Sequence, residues 1–189
     1  MSELRKTITP FILSGRFRDI LAIVISTGFL SGFLPKSPGT WGSLAALGFW
    51  FGFNSIFTPN VSLNIALAVF TLVLGTITTN VCLNYEKRSS VAKSTEITGK
   101  HDPQYIVIDE WCGLFTALII TSPEDIFEVL VAFVLFRAFD IFKPLLVHRA
   151  ESLPGSLGVM LDDVVAGGYA FIVLHTGKLL LFFLGTGFK

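Results

Sequence analysis

Apolar residues dominate six stretches of the chain, and short polar or charged segments separate them. The stretches cover residues 20–34, 43–58, 61–83, 105–121, 126–142 and 161–185. They are continuous and lack the period-two alternation of a half-buried strand. Because a backbone inside a bilayer must satisfy its polar groups internally, continuous apolar runs of this kind favour helices. The pattern therefore predicts an all-α, polytopic integral membrane helical bundle.

The length of each stretch indicates whether it can cross a membrane alone. A helical span takes about 20 residues, with a range of about 17–25. Residues 61–83 and 161–185 meet this length, and residues 105–121 and 126–142 lie at its lower limit. Residues 43–58 are short and would cross only with help from neighbours. The first stretch is shorter still and is predicted to form an interfacial or re-entrant N-terminal element.

Composition agrees with a membrane protein. The 189 residues are 52% hydrophobic and only 15% charged, whereas a soluble domain usually carries about 25% charged residues. No linker or internal repeat divides the chain, so residues 1–189 are predicted to form a single membrane-embedded domain. The formal net charge is +0 and no dense basic face is visible, which argues against nucleic acid as a partner. The oligomeric state is left open.

Basic side chains are unevenly distributed among the connecting segments. Residues 1–19 and 84–104 carry four Lys or Arg each, and residues 143–160 carry two. Residues 54–60 are uncharged, and residues 121–125 carry only acidic charges. Because basic loops stay in the cytoplasm, the first three segments are predicted to be cytoplasmic and the last two to lie outside.

With this topology the unusual charges fall on one face of the membrane. A carboxylate beside hydrocarbon costs about 3 kcal/mol on insertion scales, so it is rarely present without a partner or a task. Six acidic side chains stand at or near the ends of apolar stretches: Asp102, Asp109, Glu110, Asp140, Asp162 and Asp163. Lys36, Arg137 and Lys143 fall at the same cytoplasmic ends. This convergence predicts a site at the membrane edge.

The first constellation is the segment 34–43, LPKSPGTWGS, which leads into an apolar stretch. Its prolines and glycines shape a loop, and Thr40 or Ser43 can cap the helix that follows. Free amide groups at a helix start, together with the ammonium of Lys36, would suit a phosphate. The alternative is a simple turn between membrane segments, with Trp41 as an interfacial anchor.

The second constellation begins with Asp102, which precedes Pro103 and is predicted to cap a helix. Asp109 and Glu110 follow about two turns later. Adjacent helical residues point about 100° apart, so the two carboxylates cannot aim equally at one point. One is predicted to bind a metal while the other orients a ligand or water. The alternative is a pair of structural salt bridges.

The third constellation is RAFDIFKP, residues 137–144. The i, i+3, i+6 spacing of Arg137, Asp140 and Lys143 predicts one helical stripe, with Pro144 ending the helix. Two cations flanking a carboxylate suit a phosphate next to a metal. Ordinary intrahelical ion pairing is the alternative.

The fourth constellation is GVMLDDVVAG, residues 158–167. Asp162 and Asp163 suit Mg²⁺, a hard cation that prefers oxygen ligands. Residues 166–168 are small and permit close helix packing. The alternative for one of the two aspartates is an N-cap at the start of the last apolar helix.

Together, these four constellations resemble the phosphatidylglycerophosphatase A family of bacterial membrane lipid phosphatases. The matching segments are PKSPGTWGSL at 35–44, the region of Asp102 to Glu110, RAFDIFKP at 137–144 and GVMLDDVVAG at 158–167. The resemblance implies Mg²⁺-dependent hydrolysis of phosphatidylglycerol phosphate to phosphatidylglycerol and phosphate. It also implies a site facing the cytoplasm at the bacterial inner membrane.

The family's polar motif residues carry over to this chain by position, whereas Ser37 and the segment from Leu145 onward depart from the family pattern. The catalytic set that the resemblance implies is Lys36, Asp109, Glu110, Arg137, Asp140, Lys143, Asp162 and Asp163. The expected metal ligands are Asp109, Glu110, Asp162 and Asp163, holding one or two Mg²⁺, with Asp140 as an additional candidate. The expected substrate-binding residues are Lys36, Thr40, Arg137 and Lys143.

The sequence leaves several alternatives open. The nucleophile is either a metal-activated water or a carboxylate that forms an aspartyl-phosphate. A lipid phosphotransferase is the nearest enzymatic alternative, because paired aspartates serve that chemistry as well. A small ion-coupled membrane carrier is a further alternative, although it should place essential charges near mid-membrane or on both sides. The head-group selectivity and the number of metal ions are also open.

Overall fold

A computed structural model describes residues 16–88 and 103–185. Within these ranges the chain forms seven α-helices, one 3₁₀ turn and no strand, which confirms the all-α prediction. The helices are α1 (Phe17–Ser26), α2 (Pro38–Ile56), α3 (Val61–Arg88), α4 (Ile108–Ala117), α5 (Ile126–Phe142), α6 (Leu145–Glu151) and α7 (Ser156–Phe183). The 3₁₀ turn, Ser31–Phe33, lies between α1 and α2.

Two of the described helices are long and apolar enough to cross a membrane. They are Val61–Lys87 within α3 and Ser156–Phe183 in α7, and both coincide with the stretches predicted to span alone. Helix α7 has 28 residues, or about 42 Å of rise. By contrast, α4 has ten residues and rises only about 15 Å, so it cannot cross by itself. Crossing by the other stretches stays a prediction.

Helix α4 lies at the centre of the fold. It packs against α2, α3, α5 and α7, and eight of its ten residues are buried. Glycines allow its backbone to approach α7 closely: a Cβ on Gly113 would lie 2.6 Å from the carbonyl oxygen of Asp163, and Gly167 faces the carbonyl of Gly113. This approach brings the acidic residues of α4 and α7 together.

The N-terminal element is a short helix followed by a tight turn. Helix α1 ends at Ser26, whose carbonyl accepts a hydrogen bond of 2.9 Å from the amide of Val107. The chain then turns through Gly28, Phe29 and Leu30, all at positive φ. With ten residues, α1 rises about 15 Å and is too short to span alone. Its interfacial or re-entrant placement stays a prediction.

Two predicted helix starts, and the alternative start at Asp162 or Asp163, are wrong. Helix α2 begins at Pro38, so neither Thr40 nor Ser43 caps it, and the Ser43 hydroxyl instead donates to the carbonyl of Gly39. Helix α7 begins at Ser156, one to two turns before Asp162 and Asp163. Helix α4 begins at Ile108 rather than at Pro103. Asp102, its predicted cap, lies outside the described residues.

Candidate active site

Three carboxylates from two helices meet between α4 and α7. One oxygen each of Asp109, Glu110 and Asp163 lies within 4.8 Å of the others. Asp109 and Asp163 are buried, and Glu110 is half-buried. Asp109 and Glu110 were expected to diverge by the helical angle, yet each contributes an oxygen to this group. We call Asp109, Glu110 and Asp163 the carboxylate trio.

Two buried oxygens, one on Glu110 and one on Asp163, lack hydrogen-bond donors among the described residues. Glu110 Oε2 and Asp163 Oδ2 are inaccessible to solvent and accept no hydrogen bond from any described residue. Buried carboxylate oxygens without donors are costly, and like charges this close repel one another. A divalent cation with oxygen ligands would relieve both costs, so the donor set fits Mg²⁺.

Arg137 connects the trio to two other helices. Its Nη1 lies 2.6 Å from Asp140 Oδ2 and 3.9 Å from Glu110 Oε1. The same nitrogen donates to the hydroxyl of Ser43 at 3.3 Å. Asp140 in turn interacts with Asp163 on α7. The predicted i, i+3 pair of Arg137 and Asp140 is therefore present, and it faces the trio rather than a wetted surface.

The first turn of α2 reaches the trio through a glycine. Gly39 lies directly against Glu110 Oε1, and a Cβ at this position would also come within 3.3 Å of Arg137 Nη2. Thr40 is the next residue and is half-buried. Lys36, three residues before Gly39, is exposed and adopts φ +76°. The indole of Trp41 closes the loop by donating to the carbonyl of Pro35 at 3.3 Å.

Lys143 leaves the predicted stripe and pairs with a different acid. It follows the last residue of α5 in a left-handed conformation with φ +44°. Its ammonium lies 2.8 Å from Asp162 Oδ2 and 3.2 Å from Glu151 Oε1. Burial alone would lower the pKa of Lys143, but the hydrogen bonds and charges of Asp162 and Glu151 outweigh it and raise the pKa. Lys143 is therefore a cation at neutral pH.

Asp162 stands beside the trio but outside it. Its Oδ2 accepts from Lys143, and its Oδ1 accepts the amide hydrogen of Asp163 at 3.0 Å. Among the described residues, the group that could hold one ion contains Asp109, Glu110 and Asp163. The structure thus brings seven of the predicted residues into one region, with Asp162 joined to the trio through the backbone. These are Asp109, Glu110, Arg137, Asp140, Lys143, Asp162 and Asp163.

A second charged group lies away from the trio. The buried Glu128, in the first turn of α5, forms an ion pair with Lys178 of α7. His175 Nδ1 lies 3.7 Å from the same carboxylate. Arg137 comes nine residues after Glu128, about 14 Å along the helix. Glu128 and Lys178 each lie inside an apolar stretch of the sequence, and these isolated charges were the signal that could have identified the pair.

Comparison with known proteins identifies a family that matches most of this chain. The family model for phosphatidylglycerophosphatase A matches residues 24–178. A protein of Bacteroides thetaiotaomicron with the provisional name phosphatidylinositol-3-phosphatase is 36% identical over 85% of this chain and 95% of its own. No solved structure matches the chain significantly.

Two further relatives carry the family's name. The phosphatidylglycerophosphatase A of Haemophilus influenzae is 35% identical over 80% of this chain and 85% of its own. The phosphatidylglycerophosphatase A of Escherichia coli is 32% identical over 86% of this chain and 82% of its own. These matches confirm the resemblance found in the sequence. The chain belongs to the phosphatidylglycerophosphatase A family and is a phosphoric monoester hydrolase that acts on lipid phosphates.

Proposed function

We propose that this enzyme is a Mg²⁺-dependent phosphatase that hydrolyses phosphatidylglycerol phosphate to phosphatidylglycerol and phosphate in glycerophospholipid biosynthesis. The observation that carries the proposal is the carboxylate trio with two buried oxygens left without donors, beside the guanidinium of Arg137. Acidic oxygens next to a fixed cation are what a phosphate monoester and its metal require.

In this proposal Asp109, Glu110 and Asp163 hold the metal. Mg²⁺, when bound there, would clamp phosphate oxygens and activate a water. Asp162 was expected to be a fourth ligand, but its contacts favour a different task, which is to hold Lys143 next to the site. Asp140 holds Arg137 at 2.6 Å and also faces Asp163.

The basic residues are assigned to the phosphate. Arg137 offers a planar fork of donors that matches two phosphate oxygens, and the Ser43 hydroxyl and Asp140 fix its orientation. Lys143 supplies a second positive charge from the end of α5. Lys36, in the loop before α2, and Thr40, in the first turn of α2, are assigned to the head group from the exposed side. Charge neutralisation and positioning are the main demands of this slow hydrolysis.

The placement in the membrane is part of the proposal. We assign the enzyme to the bacterial cytoplasmic membrane as a multi-pass protein with its site facing the cytoplasm. Asp163 is the eighth residue of α7, about 11 Å from the start of that helix. Asp140 lies within the last turn of α5. Both positions are near the helix ends that adjoin the basic connecting segments, which supports a cytoplasmic site.

A phosphorylated inositol lipid is the second candidate substrate. It is favoured by the 36% identical relative whose provisional name is phosphatidylinositol-3-phosphatase. A panel of phospholipid phosphates with different head groups decides between the two. Preference for the glycerol head group supports the first assignment, and preference for an inositol 3-phosphate replaces it with the second.

The central experiment measures phosphate release from phosphatidylglycerol phosphate by detergent-solubilised enzyme with Mg²⁺ and with a chelator. We expect activity only with the metal. Asp109→Asn and Asp163→Asn should each lower it about 100-fold or more, because a lost ligand removes several kcal/mol of charge stabilisation. Glu124→Gln, at an exposed carboxylate between α4 and α5, is the matched control. Full activity in the chelator, or in both Asp variants, would overturn the metal assignment.

The same preparation tests the nucleophile. Attack by water incorporates one solvent ¹⁸O into the phosphate and leaves nothing for hydroxylamine to trap. Attack by a carboxylate gives an acyl-phosphate that hydroxylamine intercepts, and the modified residue identifies the nucleophile.

A further inference from the structure

Glu151, the last residue of α6, contacts the candidate site although it lies outside the four constellations of the sequence. Its Oε1 lies 3.2 Å from the ammonium of Lys143, which also lies 2.8 Å from Asp162 Oδ2. The side chain of Glu151 is 23% exposed, compared with 6% for Asp162. A partly exposed ion pair adds little to stability, so the significance of Glu151 lies in what it does to Lys143.

The two carboxylates determine which donor of Lys143 stays available. An ammonium carries three N–H donors and no acceptor. Asp162 and Glu151 each accept a hydrogen bond from it, so one N–H remains for another acceptor. Once two donors are engaged the ammonium cannot rotate, and the direction of the third N–H is fixed. With Asp162 alone, the ammonium could still turn about a single contact.

The backbone of Lys143 also depends on these contacts. Lys143 lies between the end of α5 and Pro144, with φ +44°. A left-handed conformation is unfavourable for a residue other than glycine, and it persists where surrounding contacts hold it. The ion pairs with Glu151 and Asp162 are contacts of this kind, because they hold the far end of the same side chain. Without Glu151, a single ion pair would have to hold it.

A glycine in α7 allows Glu151 to reach this position. A Cβ on Gly158 would lie 2.2 Å from the carbonyl oxygen of Leu153 and 3.1 Å from that of Glu151. The end of α6 and the residues after it therefore lie directly against the first turn of α7. Asp162 follows Gly158 by four residues, which places both on the same face of α7. Lys143 is thus held between Glu151 of α6 and Asp162 on that face.

Asp162 connects this arrangement to the candidate site. Its Oδ1 accepts the amide hydrogen of Asp163 at 3.0 Å, and its charge interacts with that of Asp140. Asp140 is the carboxylate that holds Arg137. A single side chain, that of Asp162, therefore links Lys143 to Asp163 of the trio and to the acid that orients Arg137.

We propose that Glu151 is a positioning residue for Lys143: together with Asp162 it holds the ammonium so that the remaining N–H donates to a phosphate oxygen of the substrate. Glu151 itself contacts neither the substrate nor the metal. Gly158 provides the space that brings Glu151 to the ammonium. The inference rests on the proposed function, since it takes Lys143 to bind the phosphate.

The test measures the inhibition constant of inorganic phosphate, the product, against phosphatidylglycerol phosphate in detergent micelles. This constant does not depend on the amount of folded enzyme, so a loss of stability alone leaves it unchanged. Glu151→Met removes the acceptor and should raise the constant about tenfold, the value of one hydrogen bond to a charged group. Glu151→Gln keeps an acceptor oxygen and should retain the wild-type value.

Glu124→Met, at an exposed carboxylate between α4 and α5, is the matched control and should keep the wild-type constant. A wild-type constant in Glu151→Met would overturn the proposal. Equal increases in Glu151→Met and Glu151→Gln would overturn it as well, because the negative charge of Glu151 and not its contact would then matter.

A double variant separates positioning from a general effect on the fold. In a Lys143→Met background the ammonium is absent, so adding Glu151→Met should raise the inhibition constant no further. The same increase in both backgrounds would mean that Glu151 affects the site without Lys143, and the assignment as a positioning residue would be wrong.

Gly158→Ala tests the packing that places Glu151. A methyl group there would push the end of α6 away from α7, so the inhibition constant should rise as it does in Glu151→Met. Gly168→Ala, in the same helix but where a Cβ meets open space, should keep the wild-type constant. Equal constants in the two variants would overturn the role of Gly158. Failure of the proposed function looks different, because the wild type would then release no phosphate from phosphatidylglycerol phosphate.

Discussion

Gly39 of α2 lies so close to the carboxylate of Glu110 on α4 that a Cβ at this position would displace that carboxylate. The first turn of α2 thereby forms a wall of the carboxylate trio. A side chain at this position would push either the helix or Glu110 away, and the trio depends on the position of Glu110.

We therefore predict that Gly39→Ala lowers kcat/KM about 100-fold, because displacing a reacting group by about 1 Å can cost that much. Gly48→Ala is the control within the same helix: no atom lies within 4 Å of its Cβ. It should keep full activity and gain up to about 1 kcal/mol of helix stability. Steady-state kinetics and thermal unfolding in detergent measure both quantities. Equal activity in the two variants would show that α2 does not shape the site.

Arg137→Lys tests whether the fork of the guanidinium matters or only its charge. Arg137 contacts Asp140, Glu110 and Ser43 from one side chain, and a lysine cannot make these contacts together. We expect kcat/KM to fall about tenfold to a hundredfold, the value of one hydrogen bond to a charged group.

Arg149→Lys provides the comparison, since Arg149 is exposed in the last turn of α6. Its activity should equal that of the wild type. If Arg137→Lys is also fully active, the phosphate is held by charge alone.

The pair of Lys143 and Asp162 offers a test of coupling. Asp162 is buried and accepts from Lys143 at 2.8 Å, so Lys143→Met leaves an uncompensated carboxylate and should cost about 3 kcal/mol of unfolding free energy. The double variant with Asp162→Asn should cost less than the sum of the single changes, with a coupling of about 0.5–3 kcal/mol. Chemical denaturation in detergent measures these values.

Lys87→Met, at an exposed position near the end of α3, should change the free energy of unfolding by less than about 0.5 kcal/mol. Additive effects of the Lys143 and Asp162 changes would mean that the two residues act independently. Asp162 would then again be a candidate metal ligand.

The sequence predicted the helices and the grouping of the site residues, but it did not predict the geometry of the site. Long apolar runs gave α3 and α7, and charge at the ends of apolar stretches identified Arg137 and the trio. Helix starts were less predictable: Pro103 and the Asp162–Asp163 pair both look like N-terminal signals, yet the helices begin at Ile108 and Ser156. The helices α4 and α7 pack closely at Gly113 and Gly167, and a local sequence pattern does not contain such tertiary contacts.

The position of Lys143 was beyond sequence reasoning for a related reason. The i, i+6 spacing assumes a continuing helix, but α5 ends at Phe142 and Lys143 turns into a left-handed conformation. That single change of φ moves its ammonium from Asp140 toward Asp162. Contacts between distant segments, such as Ser43 with Arg137, also depend on how the helices cross, which no spacing rule supplies.

Variants of the ion pair between Glu128 and Lys178 test whether charged groups outside the trio take part in the activity. An ion-coupled carrier would need this second charged group as well as the trio, whereas a phosphatase needs only the trio for hydrolysis. Lys178→Met leaves the buried Glu128 without its cation and should cost about 3 kcal/mol of unfolding free energy. Adding Glu128→Gln should recover most of that loss.

We expect both variants to have the same kcat/KM per folded protein as the wild type. The Mg²⁺ concentration that gives half-maximal activity should also be unchanged. If the double variant regains its stability but no longer releases phosphate, Glu128 and Lys178 take part in the reaction. Movement of charge between α5 and α7 would then be part of the mechanism.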